Sequence, residues 1–342
     1  MAKRVTIKDI AEALQTNSST VSRALNDSPL ISDQTKALVK QKAAELGYLP
    51  NSVARQLREG KSRIIGLIVP FINRFFFANV IHGVEAVAKE KGYQLLIGQS
   101  NDEGVSEAEM IYTLRAQKVA GIILSRVAQP NDDQVYQEIL ADGTPLVMFD
   151  RVSPSLKVSK VVNANHAASY EAVKHLLDQG YRKIIYLGGS QNLSMYRDRF
   201  AGYKQALEEA DIPLDEQLIF LSITTREAGA ETLRKVLEEG IEFDAVAGAS
   251  DFSALGAMLT IQEAGYAIPQ EKGIIGFANE PFTELIGMSS VEQYSVEMGK
   301  AAAKLLLEAI HDSSEEETDK PLQQVVIESH LIVRESSTRT RS

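Results

Sequence analysis

Two sets of residues in this chain have types and spacings suited to chemistry. The first is a polar run, Ser18, Ser19, Thr20, Ser22 and Arg23, that opens directly after Asn17. Short hydroxyl side chains near the start of a helix reach base edges in the major groove of duplex DNA. Arg23, one turn further on, suits a phosphate or a guanine edge. The same serines could also serve as caps and as a solvated helix face. The second set is spread along the remainder of the chain. Asn73 and Phe75, Asn101 and Asp102, Arg126, and Asp150 with Arg151 each follow an apolar run, and Arg199, Asp251 and Asn279 come later. A carboxylate accepts two hydroxyls, a guanidinium donates as a fork, and an aromatic ring covers the apolar face of a sugar. Together these groups suit a polyol ligand, although any one of them could equally form a salt bridge or cap a loop.

Catalytic constellations are not legible. His82, His166, His175, His311 and His330 lack metal-ligand spacing, and His166 and His175 do not fall on one helix face. Gly188-Gly189-Ser190 resembles a phosphate-loop fragment without the lysine such a loop needs. There are no cysteines, so thiol nucleophiles, disulfides and cysteine-ligated metals are excluded. No enzyme activity, cofactor or metal is expected.

The elements that must position the two sets differ in texture. At the start, Thr6 with Asp9 approximates a capping box, Asn17 or Ser18 can cap a second helix, and Ser32 a third that stops at Gly47. Short helices joined by a tight turn and braced by a third make a helix-turn-helix unit. Asn51 can cap a short helix over 52–58, too brief to be stable alone, which makes it a hinge that orders on docking. From Arg63 onward, apolar strands alternate with amphipathic helices. Strands are expected at 64–69, 94–97, 121–124, 146–149, 160–162, 183–187, 218–221, 245–248, 273–276 and 324–333, and a late helix at 296–310. This alternation predicts parallel sheets covered by helices on both faces. Its length exceeds one comfortable core, so two similar lobes are expected.

Charge divides at the same place. The chain carries −10 overall, yet residues 1–61 hold ten Lys/Arg against six Asp/Glu, a net of +4, which leaves −14 on the rest. A basic head on an acidic body is the distribution expected when only the head meets phosphate. The longest apolar run, 64–72, is too short to span a bilayer, and no apolar core follows the basic N-terminus, so the expected compartment is the cytoplasm. A secreted solute-binding protein, the rival with a similar core, would need such a leader in place of the head.

Val5-Thr6-Ile7-Lys8-Asp9-Ile10-Ala11, Ser19 to Asn26 and Leu46-Gly47-Tyr48-Leu49-Pro50-Asn51 together resemble the head of the lactose-repressor (LacI/GalR) family. In the core, Asn73-Arg74-Phe75-Phe76, Phe149-Asp150-Arg151, Arg199 to Tyr203, Ser250-Asp251 and Gly276 to Glu280 resemble that family in the same order. The resemblance covers residues 4–333. It implies an α/β protein with an all-α helix-turn-helix head and a periplasmic-binding-protein-like core of two doubly wound parallel-sheet lobes. It further implies a repressor that binds palindromic operator DNA as a homodimer, under the control of a small sugar or sugar-acid effector held between the lobes. Induction is the expected sign of that control, with corepression the alternative. The DNA-facing residues it implies are Thr6, Ser18, Ser19, Thr20, Ser22, Arg23, Asn26 and Tyr48. In the hinge it adds Asn51, Ala54, Arg55, Leu57 and Arg58, with Leu57 wedged into a minor-groove base step. The effector set is Asn73, Phe75, Asn101, Arg126, Asp150, Arg199, Asp251 and Asn279. Departures occur at Gln15, where the family often has glycine, at Ser250, where it often has asparagine, and near Ala278, where it often has an acidic residue.

The expected division is a head over 1–49, a hinge over 50–61, a first lobe over 62–161 with 293–321, a second lobe over 162–292 with 322–334, and a disordered tail over 335–342. That tail lacks an apolar heptad, so a dimer and not a tetramer is expected.

Overall fold

The computed structural model describes residues 5–48, 62–129, 133–312 and 321–339. It separates into two units, Met1–Lys61 and Ser62–Ser342.

In the first unit the local capping signals are all used. Helix α1 (Ile7–Ala13) starts at Thr6, whose backbone N–H donates to the Asp9 carboxylate at 2.7 Å while Thr6 Oγ1 accepts from Asp9 N at 3.4 Å. Helix α2 (Ser18–Leu25) is capped by Asn17, which accepts from Thr20 N at 2.8 Å. Helix α3 (Asp33–Glu45) is capped by Ser32, which accepts from Thr35 N at 3.3 Å. Between α1 and α2, Gln15 takes a φ of +51°, the left-handed conformation that glycine adopts without a steric cost. Ile10, Ala11, Val21, Ala24, Val39 and Ala43 form the small core. On α3, Leu38 is exposed and its neighbour Val39 is buried.

The second unit holds two six-stranded sheets. β1 (Ile64–Val69), β2 (Gln94–Gln99), β3 (Gly121–Leu124), β4 (Leu146–Phe149), β5 (Ser159–Asn163) and β11 (Gln324–Ile327) make the first, in the order β11-β5-β4-β3-β1-β2 with every pairing parallel. β6 (Ile184–Leu187), β7 (Ile219–Phe220), β8 (Ala245–Gly248), β9 (Gly273–Phe277), β10 (Ser289–Glu292) and β12 (His330–Ile332) make the second, in the order β12-β10-β9-β8-β6-β7. Here β12 alone runs antiparallel to its neighbour. Central strands such as β3, β4 and β8 are buried along their whole length, as apolar runs in helix-covered parallel sheets must be.

Helices α4 (Phe75–Glu90), α5 (Gly104–Ala116) and α6 (Gln134–Ala141) belong to the first lobe, and α7 (Asn165–Asp178), α8 (Ser194–Glu209), α9 (Arg226–Glu238), α10 (Asp251–Glu263) and α11 (Pro281–Leu285) to the second. Helix α12 (Ser295–Asp312) returns to pack on the first sheet beside α4. The two helices cross closely enough that a Cβ on Gly83 would lie 2.2 Å from the Val296 carbonyl oxygen, and one on Gly299 2.2 Å from that of Val80. Only glycine fits at that crossing.

Three corrections follow. The strand expected at 324–333 breaks at Glu328-Ser329, and its halves join different sheets, so 324–327 belongs to the first lobe and not the second. The first lobe also keeps β5 through Asn163, past the expected boundary at 161. The tail expected to be disordered over 335–342 is ordered over 335–339. Ser336 and Ser337 are buried, Ser336 Oγ donates to Ile274 O at 2.7 Å, and Ser289 N donates to Ser336 Oγ at 2.9 Å. Small hydroxyl side chains there supply partners to strand backbone that would otherwise be unpaired.

Candidate functional site

A cavity of about 120 Å³ lies between the two sheets of the second unit. Its walls come from the carboxyl ends of parallel strands, where backbone groups and helix starts converge. Phe71 follows β1, Asp150 and Arg151 follow β4, Ala249 and Ser250 follow β8, and Gln293 follows β10. Helix starts add Arg74, Phe76 and Phe77 from α4, Met195, Tyr196 and Arg199 from α8, and Phe252 from α10.

Arg199 is 3% exposed and sits over the Phe277 ring, 3.6 Å from guanidinium carbon to ring centroid. Its Nε donates to Asn165 Oδ1 and its Nη1 to Ala249 O, both at 2.8 Å. Nη2 is buried with no hydrogen-bond partner among the described residues. Desolvation lowers the affinity of this guanidinium for its proton, opposed by Tyr196 and Asp150. Asp150 is buried and adopts a φ of +54°. Burial pushes its carboxyl up from the usual range, and the charges of Arg151 and Arg199 pull it back. A carboxyl from one lobe and a guanidinium with a free N–H from the other therefore line the same cavity. That set can accept from one hydroxyl of a polyol and donate to its neighbour.

Arg151 is held in place from behind, since Nη1 donates to Asp102 Oδ1 at 2.8 Å and Asp102 also accepts from Ala128 N at 2.8 Å. The Arg151 Nε is buried without a partner among the described residues.

Other expected effector residues lie elsewhere. Asn73 and Phe75 are exposed, because α4 begins at Phe75 and turns Arg74, Phe76 and Phe77 to the cavity instead. Asn101 sits at a left-handed turn with φ of +54° and accepts from Gln99 Nε2, off the cavity wall. Arg126 lies beside the buried Glu107–Tyr136 pair, whose carboxylate accepts from Tyr136 Oη and Val127 N. Asp251 is 1% exposed, and its oxygens accept from Ser290 Oγ at 2.6 Å and Glu280 N at 2.7 Å. It fastens the loop after β9 and does not line the cavity. Asn279 at φ of +50° donates to Glu292 at 2.8 Å and accepts from Arg334 Nη2 at 2.8 Å. That loop turns Glu280 to the cavity wall in place of Asn279.

The sequence reading missed Arg74, the aromatic wall and Gln293. The run Phe75-Phe76-Phe77 was the available signal for the wall, since consecutive bulky rings at a helix start cannot all face one core.

In the first unit, Thr6 is engaged in its capping box and Ser19 Oγ donates to Asn17 Oδ1 at 2.7 Å. Ser18 and Arg23 are exposed on α2, while Thr20 and Ser22 are half-buried there. Asn26, just past the end of α2, donates through Nδ2 to Ser22 O, and Tyr48 packs against the small core. Asn51, Ala54, Arg55, Leu57 and Arg58 lie outside the described residues.

Among the described residues no group of three or more His, Asp or Glu side chains gathers as a metal site, and no helix is long and apolar enough to cross a membrane.

Comparison with known proteins agrees with this anatomy. Residues 6–51 match the bacterial regulatory proteins of the lacI family, and residues 62–331 match the periplasmic binding proteins and sugar binding domain of LacI family. The chain is 33% identical over 334 residues to the ribose operon repressor of Haemophilus influenzae, spanning 97% of this chain and 98% of that one. Among solved structures it resembles a transcriptional regulator CelR–cellobiose complex, with a TM-score of 0.73 and 29% identity over 97% of this chain and all of that one. The fold also matches the lac repressor dimer bound to operator and an anti-inducer, with a TM-score of 0.85 at 24% identity, over 98% of this chain and all of that one. The chain belongs to the lacI family of bacterial regulatory proteins.

Proposed function

We propose that the chain is a cytoplasmic repressor of carbohydrate-utilisation genes, binding a palindromic operator as a homodimer and responding to a small sugar or sugar acid in the cleft. The observation that supports it best is the placement of Asp150 from one lobe and Arg199 from the other on the wall of one cavity, the latter keeping a buried N–H unsatisfied. A ligand satisfying both groups binds the closed arrangement of the lobes better than an open one, and so shifts the equilibrium between them. The relatives point the same way: one is named for the ribose operon and another was solved with cellobiose. Both are regulators, and no step of catalysis is assigned to the cleft.

Operator contacts are assigned to Ser18, Ser19, Thr20, Ser22, Arg23 and Asn26 on and just after α2, together with Thr6 and Tyr48, and in the hinge to Asn51, Ala54, Arg55, Leu57 and Arg58. A second copy fits the exposed apolar edge of the first sheet, where Leu96 and Ile97 on β2 are 39% and 43% exposed.

The test is selection of bound duplexes from a random-sequence pool, by the full chain and by residues 62–342. The full chain should recover a palindromic consensus, with affinity falling linearly in log salt. Recovery of the same duplexes by residues 62–342 would refute the head assignment.

A further inference from the structure

The cavity wall is unusually rich in cations. Arg74, Arg151 and Arg199 line it from three different helix and strand ends, against the carboxyls of Asp150 and Glu280. Two of the three guanidinium groups are held by protein partners. Arg151 is paired with Asp102 behind the wall, and Arg199 is tied to Asn165 and Ala249. Arg74 is different. Its guanidinium makes no ion pair and no hydrogen bond among the described residues, and its one close partner is the face of Phe252, 4.3 Å from guanidinium carbon to ring centroid. The residue comes from the first lobe and the ring from the second. Glu280 and Glu227 attract it from a distance, without reaching ion-pair contact.

A guanidinium laid on an aromatic face is oriented but not neutralised. The ring offers its face to the charge but no hydrogen-bond acceptor, so the N–H groups of Arg74 stay available. That is the arrangement that receives a carboxylate or phosphate through two parallel hydrogen bonds. Glu280, on the same cavity wall, makes no ion pair with it. Glu280 is 7% exposed, and burial pushes its carboxyl up, towards the neutral form, against the pull of Arg74. The free Nη2 of Arg199 adds a second donor without a partner on the same cavity.

We infer that the effector is a carbohydrate bearing an acidic group, and that Arg74, stacked on Phe252, is the residue that selects for it. The inference rests on the reading of the cleft as a sugar site and adds the ligand's charge. Asp150 and Arg199 would then hold hydroxyls, while Arg74 takes the acid. Carboxylate and phosphate share the required chemistry.

The experiment is calorimetric titration of the full chain with matched probes. D-Glucuronate, D-galacturonate, D-gluconate and D-glucose 6-phosphate are set against neutral D-glucose and D-galactose, and the titrations are repeated with Arg74→Met and Arg74→Lys. At least one acid should bind about tenfold or more tighter than its neutral counterpart, the size expected of a hydrogen bond to a charged group. Arg74→Met should erase that preference and Arg74→Lys should restore part of it, with the melting temperature without ligand unchanged in both. The acid that responds separates a carboxylate from a phosphate ligand. A neutral sugar binding as tightly as every acid would overturn the acidic effector and leave the sugar site standing. A preference for acid that survives Arg74→Met would overturn the role of Arg74. Failure of all six compounds to bind would overturn both readings.

Discussion

Asn163 and Gln293 clasp each other: Asn163 Nδ2 donates to the Gln293 carbonyl at 2.8 Å, and Gln293 Nε2 donates to Asn163 Oδ1 at 3.1 Å. These residues end the first two of the three chain crossings between the lobes. The third crossing joins them through Ser329, which accepts from Asn163 Nδ2 at 3.1 Å. All three side chains are buried. The clasp also reaches the cavity, because Gln293 lines it and because Arg199 bonds Asn165, whose Nδ2 donates to Asn163 O at 3.3 Å. Arg199 is thus joined by a continuous hydrogen-bonded path to the place where the chain crosses between the lobes.

Replacing Asn163 by Ala leaves the Gln293 amide and the Ser329 hydroxyl buried without their partner. The expected cost is about 1–3 kcal/mol for the unsatisfied groups. Urea unfolding should show a lower midpoint with an unchanged m-value. A midpoint equal to wild type would mean that the clasp contributes nothing to the folded state.

The head was legible because its signals are local. Thr6, Asn17 and Ser32 act within three residues of themselves, and Gln15 marks the turn by its place between two apolar patterns. Buried strands such as β3, β4 and β8 announce themselves as apolar runs. Strand β10 does not, because Ser289 and Ser290 are fully buried yet polar, their hydroxyls bonded to Arg334 O and Asp251. Burial of a hydroxyl depends on partners from distant segments, which no window of sequence contains. Asp251 lies off the cavity wall for the same reason: its type suits a polyol, but its oxygens accept from Ser290 Oγ and Glu280 N, both remote in sequence. Phe75 and Asn73 lie off the cavity wall through register, since a helix starting one residue earlier or later turns a different side chain inward.

Charge on the exposed edge of the first sheet should split the homodimer. Leu96→Glu or Ile97→Glu places a carboxylate where a partner copy would cover apolar side chains. Sedimentation velocity at micromolar concentration should show the wild type as a dimer and the variants shifted to monomer, with dissociation constants raised about tenfold or more. Variants that stay dimeric would place the interface elsewhere.

Arg199→Met should remove the response to ligand and spare DNA binding. The probe is the compound that raises the wild-type melting temperature most in a screen of sugars and sugar acids, where saturation at 100 times Kd adds about 2.7 kcal/mol. Operator affinity is then read by fluorescence anisotropy with and without that compound. The wild type should change by a factor within about 5–150, and the variant by none. A variant that responds fully would remove Arg199 from the ligand site. A wild type that binds the compound with no change at the operator would remove the coupling itself.

Asp251 should make the stability of the second unit depend on pH. Burial pushes its carboxyl from an ordinary value of 3.8 up to about 7, with the hydrogen bonds from Ser290 and Glu280 working in the opposite direction. The folded state therefore binds a proton between pH 4 and 7 that the unfolded chain has released. Stability contributed by a group with this shift falls as pH rises across that window and is level above it. At 1.36 kcal/mol per pH unit the full span corresponds to about 4 kcal/mol. Asp251→Asn mimics the protonated form, because its amide oxygen can accept from Glu280 N and its nitrogen can donate to Ser290 Oγ. The variant has no proton to lose. Thermal unfolding at pH 4.5, 6 and 7.5 should show the variant gaining on the wild type at each step up, with the larger gap at the highest pH. A gap that is constant across the three pH values would show that Asp251 stays ionised in the folded protein, held so by its two donors despite its burial.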